Sequence, residues 1–184
     1  MAFLPEGYTI PKSSDGGKYT KFEQGKNRIR ILSSPLMGYE YWTEPTEEKP
    51  KGVPIRSLNP FVGIPEDAKL DKLGRFSQKY FWAMKVYNYN TSQVEILQIT
   101  QKTILNVILE YSNDEDYGDP RTYDITISRK GEKMESEYTT TVSPPKEAIE
   151  QVTDADLATP VNLQALLTGS NPFDTVVEEI NLED

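Results

Sequence analysis

The chain has 184 residues, 36% of them hydrophobic, with 20 basic and 29 acidic side chains and a net charge of −9. It contains no cysteine and no histidine. That removes disulfides, thiolate metal sites, thiol nucleophiles, the commonest general base and the commonest transition-metal ligand, so neither an enzyme nor a metal or cofactor is expected.

Nothing approaches eighteen consecutive apolar residues, and Met1–Glu6 has neither a charged n-region nor an apolar h-region. No membrane span and no secretory signal are expected, and the absence of cysteine suits a reducing cytoplasm.

Residues 1–17 are rich in Pro, Gly and Ser and read as a flexible arm. Asn27–Leu32 alternates polar and apolar, and after the break at Ser33-Ser34-Pro35 the alternation resumes over Leu36–Trp42. Together they predict one long bent strand, with Gly38 at a bulge or a close approach. Residues 43–77 carry Pro45, Pro50, Pro54, Pro60 and Pro65 and predict a long loop. Gln78–Tyr89 and Val94–Ile99 form a hairpin around Asn88–Thr91. Lys102–Tyr111 has its apolar residues at helical spacing. After an acidic turn come strands at Tyr123–Arg129 and Tyr138–Val142, joined by the charged loop 130–137. Short helices are predicted at Lys146–Val152 and Asn162–Leu167, the second closed by Gly169, and the chain from Ser170 onward is expected to be disordered.

This order predicts a mainly β protein: a five-stranded OB-fold barrel with one helix between strands three and four. Short C-terminal helices and a disordered acidic tail follow it. A barrel without that topology, or a split sandwich, are the alternatives. The implied division is an arm at 1–17, the OB-fold domain at 18–146, a helical extension at 147–169 and a tail at 170–184.

Charge is distributed unevenly. Glu147 to Asp184 holds nine acids and no lysine or arginine, so residues 1–146 balance 20 against 20. Within that neutral body, cations and aromatics interleave. Lys18, Lys21, Lys26, Arg28 and Arg30 surround one acid, Glu23, and Arg28 and Arg30 would share an exposed strand face, spaced like successive phosphates. A second cluster, Lys69, Lys72, Arg75, Lys79 and Lys85, is threaded with Phe76, Tyr80, Phe81, Trp82, Tyr87 and Tyr89. Aromatics on both faces of one strand suggest that one set stacks on bases. Tyr39, Tyr41 and Trp42 are further candidates, with at least one of Tyr41 and Trp42 in the core. Arg129 and Lys130 complete the cationic set. The acidic group Asp114, Glu115, Asp116 and Asp119 lacks calcium-loop spacing and reads as a solvated turn. In the tail, Phe173, Asp174, Glu178, Glu179, Glu183 and Asp184 offer partners an apolar-acidic handle, and the polyanion would compete with nucleic acid for the body.

Tyr19–Leu32 followed by Gly38-Tyr39-Glu40-Tyr41-Trp42 resembles the opening of phage-encoded single-stranded-DNA-binding proteins. Tyr123–Glu132, leading to Tyr138 and Ser143-Pro144-Pro145, is similar to their last hairpin, so the resemblance covers residues 18–146. It implies an OB-fold groove that coats single-stranded DNA during phage replication and recombination in the host cytoplasm, and a tail that recruits replication or recombination proteins. The phage T4 helix-destabilising protein carries a zinc subdomain built on Cys and His. This chain has neither, so its loop 43–77 would fill comparable space without metal. The competing expectation is a phage structural or protein-interaction module without nucleic-acid binding. A metal-dependent nuclease comes third.

Overall fold

A computed structural model describes residues 18–174. The predicted arm at 1–17 and the tail acids Glu178, Glu179, Glu183 and Asp184 lie outside the described residues. The fold is mainly β: strands β1 (Gly25–Ile31), β2 (Leu36–Trp42), β3 (Pro54–Ser57), β4 (Lys79–Asn88) and β5 (Gln93–Ile99), helix α1 (Lys102–Ser112), then β6 (Asp124–Lys130) and β7 (Glu137–Val142). A short helix, α2 (Asp154–Ala158), and a 3₁₀ turn at Leu163–Leu167 follow. The seven strands form one antiparallel sheet in the order β3-β2-β4-β1-β6-β7, with β5 on β4. Among the described residues no ladder joins β5 to β7, so the sheet is open and the predicted closed barrel is not formed.

The long bent strand takes a specific form. β1 and β2 lie end to end along β4, with Ile31 opposite Val86 and Leu36 opposite Ala83. Leu32–Pro35 thus opposes only Met84 and Lys85, and the extra residues loop out at a break that Pro35 favours. The backbone groups there are still satisfied. Leu32 N–H donates to the Lys85 carbonyl at 2.9 Å, and Lys85 N–H donates to Ser33 Oγ at 2.9 Å. Gly38 is not at the bulge but at a close approach, where an added Cβ would lie 2.5 Å from the Ser57 carbonyl oxygen.

The loop 43–77 is not strandless, since β3 pairs with β2 from Tyr39↔Ser57 to Trp42↔Pro54. A four-residue edge strand opening on proline carries little periodic signal, which is why the sequence hides it.

Both faces of β4 are covered. On the inner face Ile29, Ile31, Met84, Val86, Leu97, Ile99, Ile125 and Ile127 pack with Ile104, Leu105 and Ile108 of α1. On the outer face Leu36, Phe81, Ala83 and Ile96 pack under Leu166, with Val161, Leu163, Leu167 and Phe173 around them. The C-terminal extension is therefore the cover of a second core. Each large apolar side chain so buried contributes about 1.5–3 kcal/mol, far more than a surface ion pair.

The expected helix at Lys146–Val152 does not form. Lys146 N–H instead donates to the Thr122 carbonyl, and its own carbonyl accepts from Arg30. The helix begins later, where Thr153 and Asp156 make a reciprocal capping box. Residues 170–174, expected to be disordered, fold back as well. Pro172 is buried and its carbonyl accepts from Asn162 N–H.

Candidate functional site

The residues singled out in the sequence separate into a covered set and an open set. Arg28 and Arg30 do share a face, but both are tied to a carboxylate there and Arg30 is enclosed. Arg30 is 4% accessible, and its Nε donates to Asp124 at 2.7 Å. Its other nitrogens donate to the Arg121 and Lys146 carbonyls at 3.1 Å. Half-buried Arg28 ion-pairs with the same carboxylate, which also accepts from the Tyr89 hydroxyl at 2.9 Å. Burial alone would push the Asp124 pKa up, but hydrogen bonds from Arg28, Arg30 and Tyr89 outweigh it and hold the carboxyl below its ordinary value. These arginines anchor the fold; they are not free phosphate ligands.

Lys85 and Tyr87 are also buried. The Lys85 ammonium donates to the Leu157 carbonyl at 2.8 Å, and burial pushes its pKa down, partly countered by Asp156. Tyr87 packs edge-on against Tyr89. Tyr41 is core: its ring packs on Phe61 and Phe76, and its hydroxyl donates to Asp67 at 2.8 Å. Half-buried Trp82 packs against the inner core. Arg129 spends its guanidinium on the Phe22 carbonyl and Ser136 Oγ. Phe173, expected as a free handle for partners, packs on the outer core, with Tyr19 edge-on and the Lys18 ammonium 4.6 Å from its ring centre. Asp174 is exposed and accepts from the Asn171 side chain.

The open set clusters at the β2–β4–β3 end of the sheet. Trp42 is 43% exposed and lines a cleft of about 280 Å³ with Lys51, Lys69, Leu70 and Lys79. Glu40 and Asp71 also border it, but Glu40 faces Arg56 at 3.2 Å and Asp71 faces Arg75 at 2.9 Å. Their charge is thereby offset, and the three lysines have no ion pair among the described residues. The loop is ordered around the cleft. Lys69 N–H donates to the Trp42 carbonyl at 2.8 Å, and the turn before β3 is pinned by Thr43 N–H to the Val53 carbonyl at 3.0 Å. On the other face of the same strands, Tyr39 and Tyr80 are register partners with rings 5.3 Å apart, and Tyr80 is 39% exposed. A flat indole beside three ammonium groups can stack on a planar base while the cations meet its phosphates.

The remaining candidates lie apart from that cleft. Lys21 is exposed beside a polar hollow with Tyr19, Asn88 and Glu95, Lys26 and Lys130 are exposed at the far end of the β1–β6 pair, and exposed Arg75 is held by Asp71. Lys51 and Leu70 were not anticipated, since a loop lysine beside prolines carries no periodicity. Lys69 was noticed only as part of a charge cluster. The acidic turn is structural: Asp114 caps it by accepting from Asp116 N–H at 2.8 Å. Among the described residues no group of three or more Asp or Glu is placed to hold a metal ion, and no helix is long and apolar enough to cross a membrane. Comparison with protein-family models, with curated proteins and with solved structures finds no match to the chain.

Proposed function

We propose that the chain binds single-stranded DNA with little dependence on sequence, without enzymatic activity, by stacking bases on exposed aromatics and pairing phosphates with lysines. The observation that carries this reading is the cleft where exposed Trp42 lies among Lys51, Lys69 and Lys79. The strand order supports it. A long interrupted strand pairs with both β4 and β6, β4 with β5 and β6 with β7, and a single helix stands between β5 and β6. We read this as a partly open OB-fold enlarged by β3, the architecture that presents strands and loops to oligonucleotides. With the resemblance of residues 18–146 to phage single-stranded-DNA-binding proteins, it suits a protein that protects single strands during phage replication or recombination in the host cytoplasm.

A gel shift with labelled oligonucleotides at several salt concentrations tests the proposal. Four to six phosphate contacts predict a log–log slope of about −3 to −4 for a single strand, and weaker binding to duplex. A flat salt response, or equal affinity for duplex, sinks it. The second reading, a protein-interaction module, is favoured by the exposed Leu58, Val62, Ile64 and Leu73 around the cleft loop, and gains if no oligonucleotide shifts.

The acidic tail completes the proposal as a competitor for the cationic body and a recruiter of replication or recombination proteins. Because Pro172 and Phe173 are packed, the cut that spares them falls after Asp174. Removing residues 175–184 takes away Glu178, Glu179, Glu183 and Asp184 and no base. It is expected to tighten DNA binding at about 0.01 M salt and to have little effect above about 0.1 M, as the Debye length falls from roughly 30 to 10 Å. Unchanged affinity at low salt would show that the tail does not compete.

A further inference from the structure

Among the described residues, β3, β5 and β7 each have one side without a strand neighbour. Two of these edges are blunted or covered. β3 is four residues long and opens on Pro54, and Ile96 of β5 exchanges hydrogen bonds with Lys18 and Thr20 at 2.7 and 2.9 Å. β7 has neither device. It runs Glu-Tyr-Thr-Thr-Thr-Val, with no proline and one charge, and its side chains alternate exposed and half-buried. Ser143 N–H donates to the Asp124 carbonyl at 2.9 Å, which fixes the phase of the β6–β7 ladder. Glu137, Thr139 and Thr141 therefore turn their main-chain groups toward β6, and Tyr138, Thr140 and Val142 turn theirs away. Among the described residues nothing bonds to those outward N–H and C=O groups. Native sheets rarely leave a β-branched edge so bare.

We propose that β7 is a self-association edge, and that a second copy of this chain pairs with it, antiparallel, about a two-fold axis at Thr140. The inference does not depend on the single-strand reading above. A two-fold contact requires a surface that complements itself, and β7 does. With Thr140 opposite its own mate, Tyr138 falls opposite Val142. The outward groups of all three residues then meet in about six main-chain hydrogen bonds. On the exposed face Thr139 falls opposite Thr141, a favourable cross-strand pair. The one charged side chain, Glu137, meets Ser143, and the two copies of Glu137 stand about 20 Å apart at strand rise. No like charges face each other, and Pro144-Pro145 ends the strand where the overlap ends. The contact is a strand edge rather than a broad face, so the dimer is weak.

Sedimentation velocity of the full chain from about 1 to 200 µM tests the pairing, in the range expected of so small a contact. The native chain is expected to pass from monomer to dimer as concentration rises. Thr140→Pro removes an outward N–H and leaves the β6 ladder whole. It forfeits no side-chain bond, since the Thr140 hydroxyl has no partner among the described residues, and the variant should stay monomeric. Should that proline unfold β7, two variants at exposed positions decide. Thr139→Lys with Thr141→Lys sets like charges opposite each other across the axis and should raise the dissociation constant about tenfold. Thr139→Lys with Thr141→Glu sets opposite charges there and should dimerise at least as well as the native chain. A native chain that stays monomeric throughout overturns the inference and leaves the edge to a different partner. Equal dimerisation of the native and double-lysine chains also overturns it, since the interface then lies elsewhere.

Discussion

Replacing Trp42 by alanine is expected to weaken single-strand binding by about 1–3 kcal/mol, the usual worth of one base–aromatic stack, while leaving the melting temperature nearly unchanged. The separation follows from where the two adjacent aromatics point. Trp42 stands 43% exposed in the lysine-lined cleft, whereas Tyr41 is buried between Phe61 and Phe76 with its hydroxyl on Asp67. Tyr41→Ala therefore acts as the matched control and is expected to lose stability on the scale of a large-to-small core change, about 3–5 kcal/mol. Oligonucleotide titration and thermal melts of both variants check the pair. If Trp42→Ala melts as early as Tyr41→Ala and still binds normally, the cleft is a packing feature and the stacking model fails.

Asp124→Ala is expected to cost about 3–5 kcal/mol of stability, because it strands the buried guanidinium of Arg30 without a counter-charge. Three parts of the chain converge on that carboxylate: β1 through Arg28 and Arg30, the β4–β5 turn through Tyr89, and the extension through Lys146, 3.9 Å away. The pH dependence has a definite sign. The folded pKa of Asp124 lies below its ordinary value, so its contribution is complete above the unfolded pKa of about 3.9 and is lost as pH falls through the folded pKa. Urea melts from pH 7 to pH 3 should show the native chain weakening at the acid end, with Asp124→Asn less stable at pH 7 but flatter. An Asp124→Ala variant with native stability would mean that the cluster is not a clamp.

Apart from β3, the strands and α1 were readable because each obeys one period. Ile29 and Ile31 against Arg28 and Arg30, or Ile104, Leu105 and Ile108, leave little choice of element. What failed was the inference from side-chain type to exposure. Phe81, Lys85 and Tyr87 alternate along β4 with Tyr80 and Trp82, so one of the two aromatic faces was expected to stack on bases, with nothing in the strand to say which. A cover supplied from 80 residues downstream has no local signature. The arginines were misread for a related reason: Asp124 lies far along the chain, and sequence shows a cation without its counter-charge. Trp42 and Tyr41 could be told apart only once β3 was in place, because its pairing with β2, together with Phe61 and Phe76, decides which of the two is enclosed.

The outer core has a consequence for how the protein is made. Leu166 and Phe173 seal Leu36, Phe81 and Ile96, yet they are synthesised well after the strands they cover. Until then a nearly complete sheet presents an uncovered greasy face and unpaired strand edges, the features that make nascent chains associate wrongly. The fold is thus not closed until residues 163–173 have been made, and a stall or nonsense codon anywhere between residues 145 and 165 yields an aggregation-prone fragment rather than a shorter working protein.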